Sequence, residues 1–296
     1  MVQYIDRKNG AVCREKVYGA KALGILYGDS FLTKIFSYTI LPILAHFPFF
    51  SNAYGFFQKT AFSRSKIIPF IKAYEIDSSE FQTQNFSSFN DFFIRKLKPS
   101  CRPIDANPDR IVMPADGRYL VYPKFDRFFV KGQEFSLDTF LQDSTLEKRY
   151  EQGSMVIARL CPVDYHRFHF PCDGKPSAHR LINGPLYSVN PIALKKRIAI
   201  LSQNKRMITE IETEHFGKIA YVEIGATSVG TIRQTFPPGQ SVRKGQEKGY
   251  FEFGGSCLVL LFEPNKIEFD ADVVSNTCKG FETLCLMGSS LGGLTE

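Results

Sequence analysis

The rhythm of apolar positions changes near residue 110. Ahead of that point, Phe31, Leu32, Ile35, Phe36 and Ile40 recur three to five residues apart behind Asp29-Ser30. That spacing predicts a capped helix, which Pro42 disturbs. Residues 61–75 and 86–97 predict two more helices, the second starting around Ser87-Ser88-Phe89-Asn90-Asp91. Pro99, Pro103 and Pro108 then predict an extended linker over 99–109. From Ile111 onward the apolar runs are short and broken by turn residues. Met155 to Leu160, Lys218 to Ile224, Tyr250 to Phe253, Cys257 to Phe262 and Lys266 to Phe269 each predict a strand. Within Lys218 to Ile224, Ile219, Tyr221 and, less cleanly, Glu223 share one side. The expected fold class is α+β, a helical region over 1–110 followed by a mostly antiparallel β domain over 111–288. The last eight residues, Ser289 to Glu296, look too short to form an element of their own.

Composition sharpens this picture in two places. The chain has 296 residues, 44% apolar and 23% charged, which suits a globular protein with a sizeable core. Its net charge is +7, and residues 1–110 hold fifteen Lys/Arg against nine Asp/Glu, six of those seven charges. The same third holds 14 of the 28 Phe. Two readings follow: an ordinary helical core, or a surface lying on an anionic membrane. The most apolar stretch, Phe31 to Phe50, contains Lys34, Pro42, His46 and Pro48, so no spanning helix is expected. The N-terminus carries charges where a signal peptide needs an apolar region. Seven cysteines, with no CxxC pair, argue against a disulfide framework and a zinc ribbon. The basic Lys195-Lys196-Arg197 and Lys205-Arg206 clusters come with no nucleic-acid-binding module, so no nucleic-acid partner is expected.

Four segments carry candidate chemistry. Pro114-Ala115-Asp116-Gly117 is, alone, a common turn. Asp164-Tyr165-His166-Arg167-Phe168-His169-Phe170-Pro171 holds two of the five histidines. They read as packing, or as a general acid/base in a partly apolar pocket. A zinc site would need a further ligand such as His179, and there is no HExxH, so no metal is expected. Lys248-Gly249-Tyr250-Phe251-Glu252-Phe253-Gly254-Gly255-Ser256 marks either a tight turn or a close backbone approach to a ligand. Met287-Gly288-Ser289-Ser290, near the C-terminus, lacks the second glycine of a GxSxG elbow.

Taken together, in order, these segments resemble the pyruvoyl-dependent phosphatidylserine decarboxylase family, its second, longer-tailed type above all. Val17-Tyr18-Gly19 and Leu26-Tyr27-Gly28 resemble the family's N-terminal region. Phe89-Asn90-Asp91-Phe92-Phe93-Ile94-Arg95-Lys96-Leu97-Lys98-Pro99 and Arg102-Pro103-Ile104 are close to its FNDFFxRxLKP…RPI signature. Residues 114–117, Lys131-Gly132 through Phe135-Ser136-Leu137, 164–171, 247–256 and the terminal Gly-Ser follow in the family's order. Two positions depart from it. Met287-Gly288-Ser289-Ser290 stands for the familiar Leu-Gly-Ser-Thr, and Cys257 stands where Thr is usual. Neither change removes a group the chemistry needs.

The resemblance implies a self-processing lyase. Ser289, with His169 as base and Asp116 orienting it, would attack the carbonyl of Gly288 and convert the peptide to an ester. Elimination and hydrolysis would leave a long chain, 1–288, and a short chain, 289–296, whose N-terminal pyruvoyl group derives from Ser289. Phosphatidylserine would form a Schiff base with that ketone, lose carbon dioxide and leave as phosphatidylethanolamine. His166 would contact the substrate carboxylate and return the proton. Implied partners are phosphatidylserine, an anionic membrane surface and the chain's own cleaved pieces in a homodimer. Implied placement is peripheral, on the cytoplasmic face of the cell membrane. A lipid substrate also favours the membrane reading of residues 1–110, with Phe31 to Ile40 and Phe47 to Phe50 the first candidates for insertion and Lys34, Lys59, Arg64 and Lys66 facing headgroups. The alternatives are a lipid-binding module that has lost catalysis and a Ser/His lipid hydrolase that never cleaves itself.

Overall fold

A computed structural model describes residues 2–19, 33, 39, 48–124, 129–130, 133–226, 231–254 and 256–295. The expected helix from Phe31 to Ile40 lies outside them apart from Thr33 and Thr39, as do Leu26-Tyr27-Gly28, Lys131-Gly132 and Phe47.

The strands, in chain order, are β1 (Gln3–Asp6), β2 (Val12–Arg14), β3 (Arg110–Val112), β4 (Gly117–Tyr122), β5 (Phe129–Val130), β6 (Gln133–Glu134), β7 (Ser154–Leu160), β8 (Arg167–His169) and β9 (Lys175–Pro176). They continue as β10 (Arg180–Ile182), β11 (Arg206–Glu212), β12 (Lys218–Gly225), β13 (Ile232–Gln234), β14 (Glu247–Phe251), β15 (Ser256–Phe262), β16 (Glu268–Phe269), β17 (Glu282–Cys285) and β18 (Ser290–Gly293). Helices are α1 (Pro48–Gln58), α2 (Ile67–Tyr74), α3 (Phe89–Phe93), α4 (Leu137–Leu141), α5 (Ser144–Tyr150), α6 (Pro191–Lys196), α7 (Ile200–Gln203) and α8 (Ala271–Cys278). The class is α+β, with antiparallel sheets throughout apart from one parallel pair, β1 with β17.

A ten-stranded sheet organises the molecule, in the order β10-β11-β12-β15-β7-β4-β17-β1-β2, with β9 also paired to β11. At its centre Ile157 opposes Val259 and Val222 opposes Val259 from the other side. Alternate residues point to opposite faces, and both faces are covered. Ile157, Val222 and Val259 pack with Phe140, Leu194 and Leu201 from the helices. Ala158, Tyr221 and Leu260 pack with Phe168 and Phe251 from a small sheet, β13-β14-β8. Covering on two sides explains why β15 beyond Ser256, and β7 apart from Ser154 and Arg159, read as apolar runs. On β12 the irregular position, Glu223, is fully buried and ion-paired with the equally buried Lys248 of β14.

Two short pieces enter sheets against expectation. Residues 3–14 add β1 and β2 to one edge of the main sheet, so part of the first 110 residues belongs to the β structure. The tail beyond Ser289 forms β18, the middle strand of a three-stranded sheet between β16 and β3. Four-residue strands lack enough alternation to be read locally; their partners lie far along the chain.

The predicted helix over 61–75 is a 3-10 turn at Ala61–Lys66 running into α2, which ends at Glu75 in the left-handed region, φ +55°. The one over 86–97 shrinks to α3. Ser88 caps it, accepting from Asp91 N at 3.1 Å, and the chain then turns extended so that Leu97 bridges Phe81. Within the Phe-rich region, Phe70, Phe81, Phe86, Phe89, Phe92 and Phe93 form a core of edge-to-face rings; Phe70 and Phe89 meet at 5.2 Å and 86°. Phe56, Phe57 and Phe62 face outward. No helix among the described residues is long and apolar enough to cross a membrane.

Candidate active site

The segment 112–116, between β3 and β4, is gripped on two sides. On one side Val112 N–H donates to Pro171 O at 2.9 Å, and His169 N–H donates to Pro114 O at 2.8 Å. On the other, Met113 N–H donates to Ser289 O at 2.8 Å and accepts at its carbonyl from Gly288 N–H at 3.0 Å. One strand of backbone thereby brings Asp116, His169 and Gly288–Ser289 to a single region.

Leu286 to Ser289 form a turn, closed by Ser289 N–H to Leu286 O at 3.3 Å. Gly288 occupies its third position with φ +87°, a backbone conformation that glycine adopts without cost. A Cβ there would sit 2.5 Å from Pro103 O. The turn leaves Ser289 Oγ partly exposed, donating to Leu286 O at 2.6 Å.

His169 sits on β8. Its Nδ1 lies 2.9 Å from Gly245 O, and a carbonyl only accepts, so Nδ1 carries the proton in the neutral ring. Nε2 then holds a lone pair, and it is buried without a hydrogen-bond partner. Burial lowers the pKa of this histidine, with the Gly245 carbonyl, Glu247 and Asp116 acting in the opposite direction. The result is a neutral base with a free lone pair in a protected setting.

Asp116 is 4% exposed. Arg102 reaches it with Nε at 2.9 and 3.0 Å and with Nη2 at 2.6 Å, and Met287 N–H donates to Oδ1 at 2.9 Å. Arg102 also holds Glu80, at 3.1 and 3.0 Å. Asp116 therefore anchors the turn that carries Gly288–Ser289, while the Gly245 carbonyl orients His169. No hydrogen bond joins Asp116 to His169 among the described residues. A cleft of about 220 Å³ opens beside Asp116, lined by Glu80, Arg95, Arg102, Asp116, Tyr165 and Leu286.

His166 lies apart from this group. Its ring stacks on Phe93 at 3.9 Å, Nε2 meets Cys161 O at 2.7 Å, and Nδ1 meets Ser256 Oγ at 3.2 Å. It is fully covered, and burial, the largest influence, pushes its pKa down to about 3. Both nitrogens are occupied in this arrangement. Arg102 is the site residue for which the sequence offered no role: its partner Asp116 is 14 positions away, at no helical or strand spacing. The described residues contain no His/Cys/Asp/Glu group able to hold a metal ion.

A family model described as phosphatidylserine decarboxylase matches residues 89–292. The phosphatidylserine decarboxylase proenzyme of Chlamydia pneumoniae is 48% identical over 295 residues, 98% of this chain and 96% of its own length. That of Chlamydia muridarum is 48% identical over 294 residues, with the same coverage, and that of Chlamydia caviae is 46% identical over 296 residues, 98% and 97% of the two chains. A family model matching more than half of the chain and near-full-length relatives at 46–48% identity show that the chain belongs to the phosphatidylserine decarboxylase family.

Proposed function

We propose that this protein is made as a proenzyme, cleaves itself between Gly288 and Ser289, and decarboxylates phosphatidylserine to phosphatidylethanolamine. The observation that carries the reading is the buried, unpartnered Nε2 of His169 in the group that also holds the Gly288–Ser289 turn. Ser289 Oγ attacks the Gly288 carbonyl carbon as its proton passes to His169 Nε2. The new C–O bond replaces the Gly288–Ser289 C–N bond, and the freed Ser289 amine takes the proton. Loss of the Ser289 α-proton then expels Gly288 as a carboxylate, leaving a dehydroalanine. Its imine tautomer takes up one water and releases ammonia, and residue 289 becomes a pyruvoyl group.

The residues present fit that group. Only glycine suits position 288, where a Cβ would strike Pro103 O, and β18 holds residues 290–293 between β3 and β16 after the chain is cut. The pyruvoyl carbonyl supplies the electron sink into which the carboxylate's electron pair departs. Asp116 keeps the turn in place through Met287 N–H and, as a nearby negative charge, favours the imidazolium that His169 becomes. His166 contacts the substrate carboxylate and returns the proton, for which its ring must exchange the Cys161 carbonyl or the Ser256 hydroxyl that engage both its nitrogens in the uncut chain.

A two-chain lipid stays in its bilayer, so the enzyme goes to it. Phe56, Phe62 and Ile68 are 71%, 83% and 66% exposed and are interspersed with Lys59, Arg64, Lys66 and Lys72. This face rests on the anionic cytoplasmic surface of the membrane. Changing all three apolar residues to Ser weakens sedimentation with phosphatidylserine vesicles by about tenfold or more, since one buried Phe or Ile is worth about 1.5–3 kcal/mol. Unchanged sedimentation refutes the placement. The processed protomers pair as homodimers, to be checked by light scattering.

Mass under reducing, denaturing conditions tests the chemistry. Expected are a fragment ending at Gly288 and a 289–296 peptide with a ketone for its amine, both absent from a Ser289→Ala control. A single intact species in both samples, with membranes present, refutes self-processing.

A further inference from the structure

The carbonyl that must become tetrahedral during self-cleavage already has a donor. Gly288 O accepts from the backbone N–H of Asp105 at 3.0 Å. We infer that the Asp105 amide is the oxyanion donor of the self-cleavage reaction, presented by a rigid segment, Arg102 to Asp105. The inference rests on the self-processing reading above and adds to it a catalytic group that no side chain supplies.

Three observations separate this contact from an ordinary turn hydrogen bond. First, the rest of the scissile unit is pinned elsewhere: Gly288 N–H to Met113 O at 3.0 Å and Ser289 O to Met113 N–H at 2.8 Å. Asp105 is left to hold the one oxygen on which charge develops. Second, the donor is fixed at both ends. Arg102 is clamped on the buried Asp116. On the far side, Asp105 Oδ1 accepts from Asn107 N–H at 2.9 Å and Asn107 Oδ1 accepts from Asp109 N–H at 3.0 Å, two successive side-chain-to-backbone turns. Lys244 Nζ donates to Arg110 O at 3.0 Å. Third, the approach is close enough to dictate the residue: a Cβ on Gly288 would lie 2.5 Å from Pro103 O and 2.9 Å from Ile104 Cδ1. The glycine of the cleavage site and the Arg-Pro-Ile-Asp segment are thus two halves of one fitted contact.

As Ser289 Oγ bonds to the Gly288 carbon, the carbonyl π pair moves onto Gly288 O. The proton from Oγ goes to His169 Nε2, so the new negative charge faces Asp105 N–H. A donor already aimed at that oxygen needs no reorganisation when the charge appears, and its bond strengthens as the charge grows.

The test replaces Asp105 by the corresponding α-hydroxy acid in the full chain, through suppression of a nonsense codon in cell-free synthesis. The ester exchanges one N–H for oxygen and keeps the side chain. Cleavage is followed by mass from the end of synthesis. Loss of one oxyanion donor is expected to slow it about 100- to 1,000-fold. Asp105→Pro, which removes the same N–H, is expected to slow it at least as much. The ester in a Ser289→Ala chain shows whether the fold survives, and a ¹³C=¹⁸O label at Gly288 there reports the contact directly: its amide band moves to higher frequency when the donor is lost. Cleavage within about threefold of the all-amide chain, or an unmoved band, overturns the inference. If the all-amide chain itself stays whole, self-processing falls and this inference falls with it.

Discussion

Arg102 offers the sharpest energetic test, because removing it strands a buried charge. Its side chain is 8% exposed and that of Asp116 is 6%, and three of its contacts end on the two Asp116 oxygens. In Arg102→Gln the carboxylate keeps Met287 N–H but loses its countercharge. Breaking one side of a buried pair costs about 3–5 kcal/mol. For a chain of 296 residues the unfolding entropy is on the order of 0.6 kcal/mol per kelvin. The melting temperature should therefore fall by about 5–8 °C, read by calorimetry in a Ser289→Ala background so that every variant is one polypeptide. Arg102→Gln/Asp116→Asn removes charge and countercharge together. It should be less destabilised than the sum of the single variants, by on the order of 2 kcal/mol or more. With Ser289 restored, Arg102→Gln should also slow cleavage, since the segment presenting Asp105 loses its anchor. Additivity within about 0.5 kcal/mol would show that the two groups do not depend on one another and would refute the clamp.

Burial holds the His166 pKa near 3, below the roughly 6.5 of an unfolded chain, so the unfolded state takes up the proton first as pH falls. The contribution of His166 is complete above about pH 6.5 and is lost toward pH 3, at up to about 1.4 kcal/mol per pH unit; in His166→Gln, denaturant titrations from pH 7 to 4 should show a shallower decline, and an identical slope would refute the assignment. Leu291 is 0% exposed on β18, and Leu291→Ala should cost about 2–5 kcal/mol of the hold on the short chain. After processing, the 289–296 peptide should separate from the long chain on native gel filtration, where the unsubstituted enzyme retains it.

Much of this molecule is legible in its sequence, and the boundary of legibility has a physical cause. β7, β12 and β15 are seven or eight residues long and largely apolar, and are readable as strands from their local pattern. β1, β2 and β18 are three or four residues long and exist because distant partners receive them. Glu223 spoiled the alternation of β12 because its countercharge, Lys248, lies 25 residues on and reaches it across the gap between two sheets. Phe-richness alone did not say which rings insert into the core: Phe92 and Phe62 look alike in sequence, yet one is fully buried and the other 83% exposed.

The site divides the same way. Asp116, His169 and Ser289 are proposed from the sequence because side chains have identities that a motif preserves. The groups that arrange them are largely main-chain atoms: the Gly245 carbonyl that sets the His169 tautomer, the Met113 amide and carbonyl that pin both sides of the scissile bond, and the Asp105 amide on its carbonyl oxygen. A backbone N–H is the same group at nearly every position, so only the fold tells which one matters. Sequence does record the fit indirectly, in the glycine at 288 and in the Arg-Pro-Ile run at 102–104 that meets it. A family signature with no nucleophile, base or ligand of its own, such as this one, is where the backbone's share of the chemistry is to be looked for.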